Sequence, residues 1–366
     1  MPSVRNIAKQ AGVSIATVSR ALNNDPGISE ATRMKILAIA NSRGYRGGNG
    51  KRVATNIAFA YSGEQKLSHP FESAVLQGAS QGLEDSQWNI VLLNLKREKE
   101  RSESFTQFFL RHNVAGVMLR VVAESRNICE TIAAEGFPHV VISERFDSPN
   151  VCYCDCDSKL DSIKAVEYLI ALGHRRIAYA SHNIPDRDHS DRFEGYKEAL
   201  LAHGIEYHPD IVFSQPSSLA GGVTVVKMAA SMAERPTAIY FADWMLTIGG
   251  LKAAHELGIQ VPRDLSIVGF DDANMRQTVH PTLTSVCQNA IQLGCEAARN
   301  LARVLNGETK DPFQILIPSF FEIYESTGTP SEMIIRANAK DRLGVERSSS
   351  LASSSDGARS IESQAG

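Results

Sequence analysis

The sequence predicts an α/β protein: an N-terminal three-helix head, then a body of two lobes, each a parallel sheet covered by helices. Two observations carry this. From Asn56 onward, continuous apolar runs of strand length alternate with amphipathic stretches of helix length. Before Asn56, three short helical patterns are separated by turn residues, and the charge there has the opposite sign to that of the rest.

The first helix covers about Val4 to Gln10, with Ile7, Ala8 and Ala11 on one face. Gly12 follows, a residue that accepts the positive φ of a tight turn. Ser14 is placed to cap a second helix running to about Leu22, whose inward positions are Val18, Ala21 and Leu22. Asn23-Asn24-Asp25-Pro26-Gly27 is a loop by composition. Ser29 caps a third helix in which Ala31, Ile36, Leu37 and Ala40 recur at helical spacing; it ends at Gly44, and Tyr45 packs back on the bundle. Residues 1–45 form the head. Residues 46–55 contain Gly47, Gly48 and Gly50 and read as a short flexible linker.

In the body, residues 56–330, the candidate strands are Ile57–Tyr61, Ile90–Leu93, Gly116–Leu119, Val140–Ile142, Ile177–Ala180, Ala238–Ala242 and Leu265–Phe270. Helices fit at about 71–86, 100–112, 124–135, 158–172, 192–203, 219–233, 245–257 and 289–306. Lobe 1 is expected over about 56–157 and 288–317, lobe 2 over about 158–287 and 318–330. Residues 331–366 form an extension; eight serines fall between 345 and 366, so it is expected to be largely disordered.

The chain has 366 residues, 43% of them hydrophobic, which suits large globular cores. No uninterrupted apolar stretch reaches ~18 residues, so no membrane span is expected. Arg5, Lys9 and Gln10 interrupt any leader-like run. The six cysteines are scattered, which fits a reducing cytoplasm. Cys152, Cys154 and Cys156 alternate as on one face of a strand; without a fourth ligand nearby they read as small buried residues rather than a metal site. No cofactor is implied. The net charge of −3 conceals an asymmetry: residues 1–52 hold nine Lys/Arg against Asp25 and Glu30, giving +7 there and −10 elsewhere. A basic head on an acidic body fits a polyanionic partner for the head, although a merely solvated basic face has the same charge.

The most informative segment runs from Ile7 to Asn23. Helix, glycine turn and capped helix in basic surroundings fit a helix-turn-helix. The start of the second helix can enter a DNA major groove, which places Ile15, Ala16 and Arg20 at base edges. Arg can donate two hydrogen bonds to guanine, while Ile and Ala pack on methyl groups. Ser14, Thr17 and Ser19 have short hydroxyls suited to phosphate, with Asn23 at the helix end. A small structural bundle is the alternative.

This segment closely resembles the head of the lactose repressor/galactose repressor family. The likeness continues through Ile28-Ser29-Glu30-Ala31-Thr32-Arg33 and Gly44-Tyr45-Arg46. In the body it includes Leu172-Gly173-His174-Arg175-Arg176-Ile177-Ala178, Arg192-Phe193-Glu194-Gly195-Tyr196 and Pro236-Thr237-Ala238-Ile239. Its most specific block there is Val261 to Asp272. The resemblance implies a periplasmic-receptor-like body and a homodimer or tetramer on a pseudo-palindromic operator of double-stranded DNA. It also implies a small effector, a sugar or sugar derivative, between the lobes. Such a protein is a cytoplasmic transcriptional regulator, expected to repress carbohydrate-utilisation genes. A nucleobase or other small metabolite is the alternative effector.

By the family pattern, the effector residues are Phe71, Arg192, Asp243 and Asp271, with Trp244 beside them. Aromatic faces suit apolar ligand faces, and Arg and carboxylates suit hydroxyls. Each also has a structural reading: Phe71 and Trp244 as core, Arg192 as a loop tie, Asp271 as a helix cap, a role that the adjacent Asp272 fits better. Two departures stand out. Ala242 takes the place of the family's usual Asn, and the linker lacks the family's Pro and Ala-Arg-x-Leu segment. Lys51 and Arg52 can still touch phosphates, but three glycines oppose a hinge helix, at ~1 kcal/mol each relative to Ala. A sugar receptor without a DNA role would share the body but not the head. An α/β enzyme is disfavoured by the lack of Gly-x-Gly-x-x-Gly, Walker or Gly-x-Ser-x-Gly motifs at a strand-to-helix turn.

Overall fold

The computed structural model describes residues 3–23, 25–42, 45, 54–63, 67–120, 125–184, 186–331, 334–337 and 343–346. The linker's Lys51, Arg52 and Val53 lie outside these residues, and with them the expectation about a hinge helix.

The head is three helices, α1 (Val4–Ala11), α2 (Ile15–Leu22) and α3 (Glu30–Ser42). Local chemistry sets their ends. Ser3 caps α1 by accepting the Asn6 N–H, and Gly12 ends it at φ +73°. Ser14 caps α2 by accepting the Thr17 N–H at 3.0 Å. Ile7, Ala8, Ala11, Val18, Ala21, Ile28, Ile36 and Ala40 close a small core, with Tyr45 packed against it.

The body contains two six-stranded sheets. The first is built from β1 (Asn56–Tyr61), β2 (Asn89–Asn94), β3 (Val114–Arg120), β4 (His139–Ile142), β5 (Tyr153–Asp157) and β11 (Gln314–Pro318), in the order β11-β5-β4-β3-β1-β2. All its pairings are parallel. The second holds β6 (Ile177–His182), β7 (Val212–Gln215), β8 (Ala238–Phe241), β9 (Ser266–Asp271), β10 (Ser285–Cys287) and β12 (Phe320–Glu322), in the order β12-β10-β9-β8-β6-β7. Only β12 runs antiparallel to its neighbour. The chain therefore crosses between sheets after β5, after β10 and after β11.

Each sheet is apolar on both faces. In the first, Ile57, Phe59 and Tyr61 of β1 face α4 (Pro70–Gly82) and α12 (Ala290–Leu305). Ala58 and Ala60 face the other way, toward α5 (Leu95–Glu98), α6 (Phe105–Arg111) and α7 (Arg126–Ala134). In the second, α8 (Lys159–Ala171) and α9 (Arg187–Ala202) cover one face, and α10 (Leu219–Ser231) and α11 (Trp244–Glu256) the other. Helices α4 and α12 approach closely at Gly78 and Gly294: a Cβ on Gly294 would lie 2.0 Å from the Val75 carbonyl oxygen.

The sequence pattern places the seven apolar strands but leaves β5, β7, β10, β11 and β12 off the strand list, β5 being touched only through its alternating cysteines. Each of these has three to five residues, and those at sheet edges are mostly exposed or half-buried, which dilutes the apolar signal. Helix α9 begins at Arg187 rather than Arg192, because Asp186 caps it through the His189 N–H. Helix α6 begins at Phe105 rather than near 100, behind a Ser104–Gln107 capping box. Within the extension, β13 (Ile334–Ala337) pairs antiparallel with β14 (Leu343–Glu346); its other residues beyond Ser331 lie outside those described.

Candidate nucleic-acid interface and interlobe cleft

On α2, Val18 and Ala21 point into the head core and leave a continuous outer face. Ser14, Ile15, Ala16, Ser19, Arg20 and Asn23 are exposed on it, with Thr17 half-buried. Ile15 is 49% exposed, although isoleucine ordinarily belongs inside. Arg5 and Lys9 of α1 are exposed as well.

The back of the head touches lobe 1. Asn41 Nδ2 donates to the Glu135 carbonyl oxygen at 2.6 Å and to Thr106 Oγ1 at 3.1 Å. Gln107 Nε2 donates to the Leu22 carbonyl oxygen at 2.6 Å. Gly136, at φ +66°, lies directly under Ala38. The buried Glu135 carboxylate caps α6 through the Phe105 and Thr106 N–H groups, and its burial pushes its proton affinity up. This contact leaves the outer face of α2 open.

All the parallel strands of the two sheets end toward the space between the lobes, where α/β folds bind ligands. On lobe 1, Phe71 follows Pro70 at the start of α4. The Arg120 guanidinium, at the end of β3, lies 4.8 Å from the Phe71 ring centroid. It pairs with Glu72 at 2.8 Å. On lobe 2, Arg192 is 3% exposed and lies 3.4 Å from the Phe270 ring centroid. It donates to the Ala242 carbonyl oxygen at 2.7 Å and faces Asp188 at 3.8 Å. Arg145, after β4, joins the lobes: it pairs with Asp155 of β5 at 2.5 Å and with Asp191 of α9 at 2.8 Å.

The other expected effector residues divide. Asp243 caps α11 through the Leu246 N–H and also accepts from Ser217 Oγ at 2.8 Å. Trp244 is buried in the lobe 2 core. Asp271 accepts the N–H groups of Ala273, Met275 and Arg276, and pairs with the Arg276 guanidinium at 2.8 Å. The next residue, Asp272, is the acid that faces Arg192 and, from lobe 1, His69; it accepts from Gln288 at 2.6 Å. Burial pushes the Asp272 carboxyl up, against the pull of those two groups.

His182 Nε2 and His189 Nδ1 both meet the Asp186 carboxylate, at 2.8 and 2.9 Å. His182 Nδ1 receives the Ile184 N–H and His189 Nε2 faces Arg192, so each ring nitrogen already has a partner. Burial pulls His189 down to about 4, only partly offset by Asp186. These are metal-ligand types in one place, but the adjacent Arg192 cation and the filled ring positions make a hydrogen-bonded triad the simpler account. Cys154 and Cys156 are buried in β5, and burial pushes both thiols up.

Sequence reasoning passed over His69, Arg120, Arg145, Asp155, Asp188, Asp191 and Gln288, and it took Asp272 for the helix cap, whereas Asp271 receives the N–H groups of the turn and Asp272 faces Arg192. One signal was available: Arg120 closes an otherwise wholly buried strand, and such a charge at the carboxyl end of a parallel strand faces the cleft. No local pattern pairs Arg145 with Asp191, because they come from different lobes.

Comparison with known proteins agrees with this geometry. Residues 3–47 match the family model for bacterial regulatory proteins of the lacI family, and residues 166–327 match that for the periplasmic binding protein-like domain. Catabolite control protein A of Priestia megaterium is 28% identical over 332 residues, 89% of this chain and 99% of that protein. The ribose operon repressor of Haemophilus influenzae is 27% identical over 306 residues, 82% of this chain and 91% of that protein. The solved complex of the transcriptional regulator CelR with cellobiose superposes with a TM-score of 0.65 at 28% identity, covering 89% of this chain and all of that one. Among the described residues, no helix is long and apolar enough to cross a membrane.

Proposed function

Because the chain belongs to the lacI family of bacterial regulatory proteins, we propose that it represses carbohydrate-utilisation genes by binding a pseudo-palindromic operator as a homodimer, with a small polar effector in its interlobe cleft. The observation that carries this is the outer face of α2, where Ile15, Ala16 and Arg20 stand exposed on a capped helix in a basic head. Ile15, Ala16 and Arg20 read base edges; Ser14, Thr17, Ser19 and Asn23, with Lys51 and Arg52 of the linker, hold phosphates. Relatives named for ribose and complexed with cellobiose support a sugar effector. Phe71, His69, Arg120, Arg192, Asp272 and Gln288 line its site, while Asp243, Trp244 and Asp271 hold the walls. Nothing in this reading requires catalysis.

Head and lobe 1 are joined by side-chain hydrogen bonds, which gives lobe closure a route to the head that needs no helix in the linker. Two reading helices must lie one DNA turn apart, which requires the dimer. Selection of random duplexes by the full-length protein tests the proposal. Recovered sites should carry two inverted half-sites, and affinity should fall steeply with salt. Recovery of no sequence preference, or of single half-sites bound by a monomer in sedimentation, overturns it.

A further inference from the structure

The lobes are joined by side chains of the chain itself, most directly through Arg145. The loop that carries Arg145 is fixed within lobe 1: Glu144 Oε1 accepts the Arg145 N–H at 3.2 Å, and Arg126 donates to the Arg145 carbonyl oxygen at 2.8 Å. The Arg145 guanidinium is anchored there as well, with Nε on Asp155 at 2.5 Å and Nη2 on the Cys156 carbonyl oxygen at 3.2 Å. The same Nη2 reaches lobe 2, where Asp191 Oδ2 of α9 lies at 2.8 Å as an ion pair without hydrogen-bond geometry. One turn earlier on the same face of α9, the Asp188 carboxyl is hydrogen-bonded to Asp155. Asp155 is wholly buried and needs a counter-charge, which Arg145 supplies from within lobe 1. Asp191 in turn has a cation of its own lobe, Arg187, at 3.2 Å. Neither residue needs the other to balance its charge, so what their contact adds is a tie between the lobes. The two side chains are 18% and 11% exposed, and salt screens such a pair less than one on the open surface.

We propose that Arg145 and Asp191 form a clasp that favours the closed arrangement of the lobes, so that this ion pair and the effector together set how far the cleft stands open. This rests on the reading of the body as a two-lobed effector receptor and names a pair that regulates it. A ligand held by both lobes binds the closed arrangement best, and its apparent affinity scales with the fraction of protein that is closed. The clasp raises that fraction without touching the ligand. Its geometry needs an arginine: the rigid fork meets Asp155 through Nε and Asp191 through Nη2 at once, whereas a lysine ammonium is a single point charge.

The test uses full-length protein with nothing added. Asp191→Asn keeps the side-chain shape and leaves Arg145 on Asp155. Small-angle scattering of this variant should give a larger radius of gyration than that of the wild type. Hydrogen exchange is read in residues 69–73 and 272–277, which face one another across the cleft through His69 and Asp272 and include neither clasp residue. Exchange in both segments should be at least threefold faster in Asp191→Asn. Arg145→Lys should show the same two changes. Arg187→Gln removes only the partner that Asp191 has within α9, and should leave both readings at wild-type values. Wild-type scattering and exchange in Asp191→Asn overturn the proposal. So do equal changes in Arg187→Gln, which would place the role of Asp191 within α9. Exchange that rises as much at Val225–Ala230 in the lobe 2 core as at 69–73 also overturns it, because that is loss of fold rather than parting of the lobes. None of these touches the regulator reading, which operator selection decides separately.

Discussion

Replacing Asp271 by Asn separates a wall residue from a ligand residue, and the structure sets the size of the effect. Asp271 is 1% exposed, and its two oxygens receive three backbone N–H groups and the Arg276 guanidinium. In the Asn variant, the Oδ1 position can still accept from Ala273 and Met275. The Oδ2 position becomes an NH2 group facing two donors, the Arg276 N–H and its guanidinium. Removing one partner of a buried ion pair costs about 3–5 kcal/mol. Here Glu322 remains 2.5 Å from Arg276 Nη2, so the guanidinium keeps a counter-charge and the lower end applies, ~3 kcal/mol. Urea unfolding should show the loss as a midpoint lowered by about 1 M or more. Asp272→Asn should leave that midpoint nearly unchanged and weaken whichever sugar a thermal-shift screen recovers. An unmoved midpoint for Asp271→Asn, together with lost ligand binding, would refute the assignment of Asp271 to the wall.

Three further outcomes follow from the geometry. Arg20→Ala should cost ~1–3 kcal/mol on selected operator and relax preference at one base pair per half-site, measured by anisotropy; equal loss on random duplex would mean a phosphate contact only. Asn41→Ala combined with Gln107→Glu removes all three head-to-lobe hydrogen bonds described above while a carboxylate oxygen still accepts the Ser104 N–H of the capping box, so proteolysis within 46–55 should accelerate at a nearly unchanged body midpoint and the effector's effect on operator affinity should shrink. His189 titrates at about 4 in the native protein, because burial disfavours its charged form, against ~6.5 when unfolded. The unfolded chain therefore binds the extra proton, and stability falls as pH drops from ~6.5 to ~4, by about 3 kcal/mol in all. His189→Gln should lack that fall; taking the difference from wild type removes the opposite contribution of Asp188, and parallel pH profiles would show that His189 is charged in the fold.

The head and the sheets are legible in the sequence because their signals are local. Ser14, Gly12 and the spacing of Ile7, Ala11, Val18 and Ala21 fix a capped helix pair within a few residues of chain. A run such as Val114–Leu119, buried at every position, can only be an inner strand of a covered sheet. The cleft is less legible, and for two physical reasons. Its acids come from distant chain positions: Asp155 and Asp188 meet only because β5 and α9 lie on opposite lobes that close on one another. The second reason is competition for lone pairs. Consecutive aspartates end β9, and the family motif points to the first of them. The turn that follows β9 supplies the Ala273, Met275 and Arg276 N–H groups, and these engage both oxygens of Asp271, while the alternation of the strand turns Asp272 to the same side as Phe270 and Arg192. A motif fixes where a carboxylate sits along the chain; which donors reach it first is decided by the backbone beyond the motif, and that decides whether any acceptor remains for a ligand.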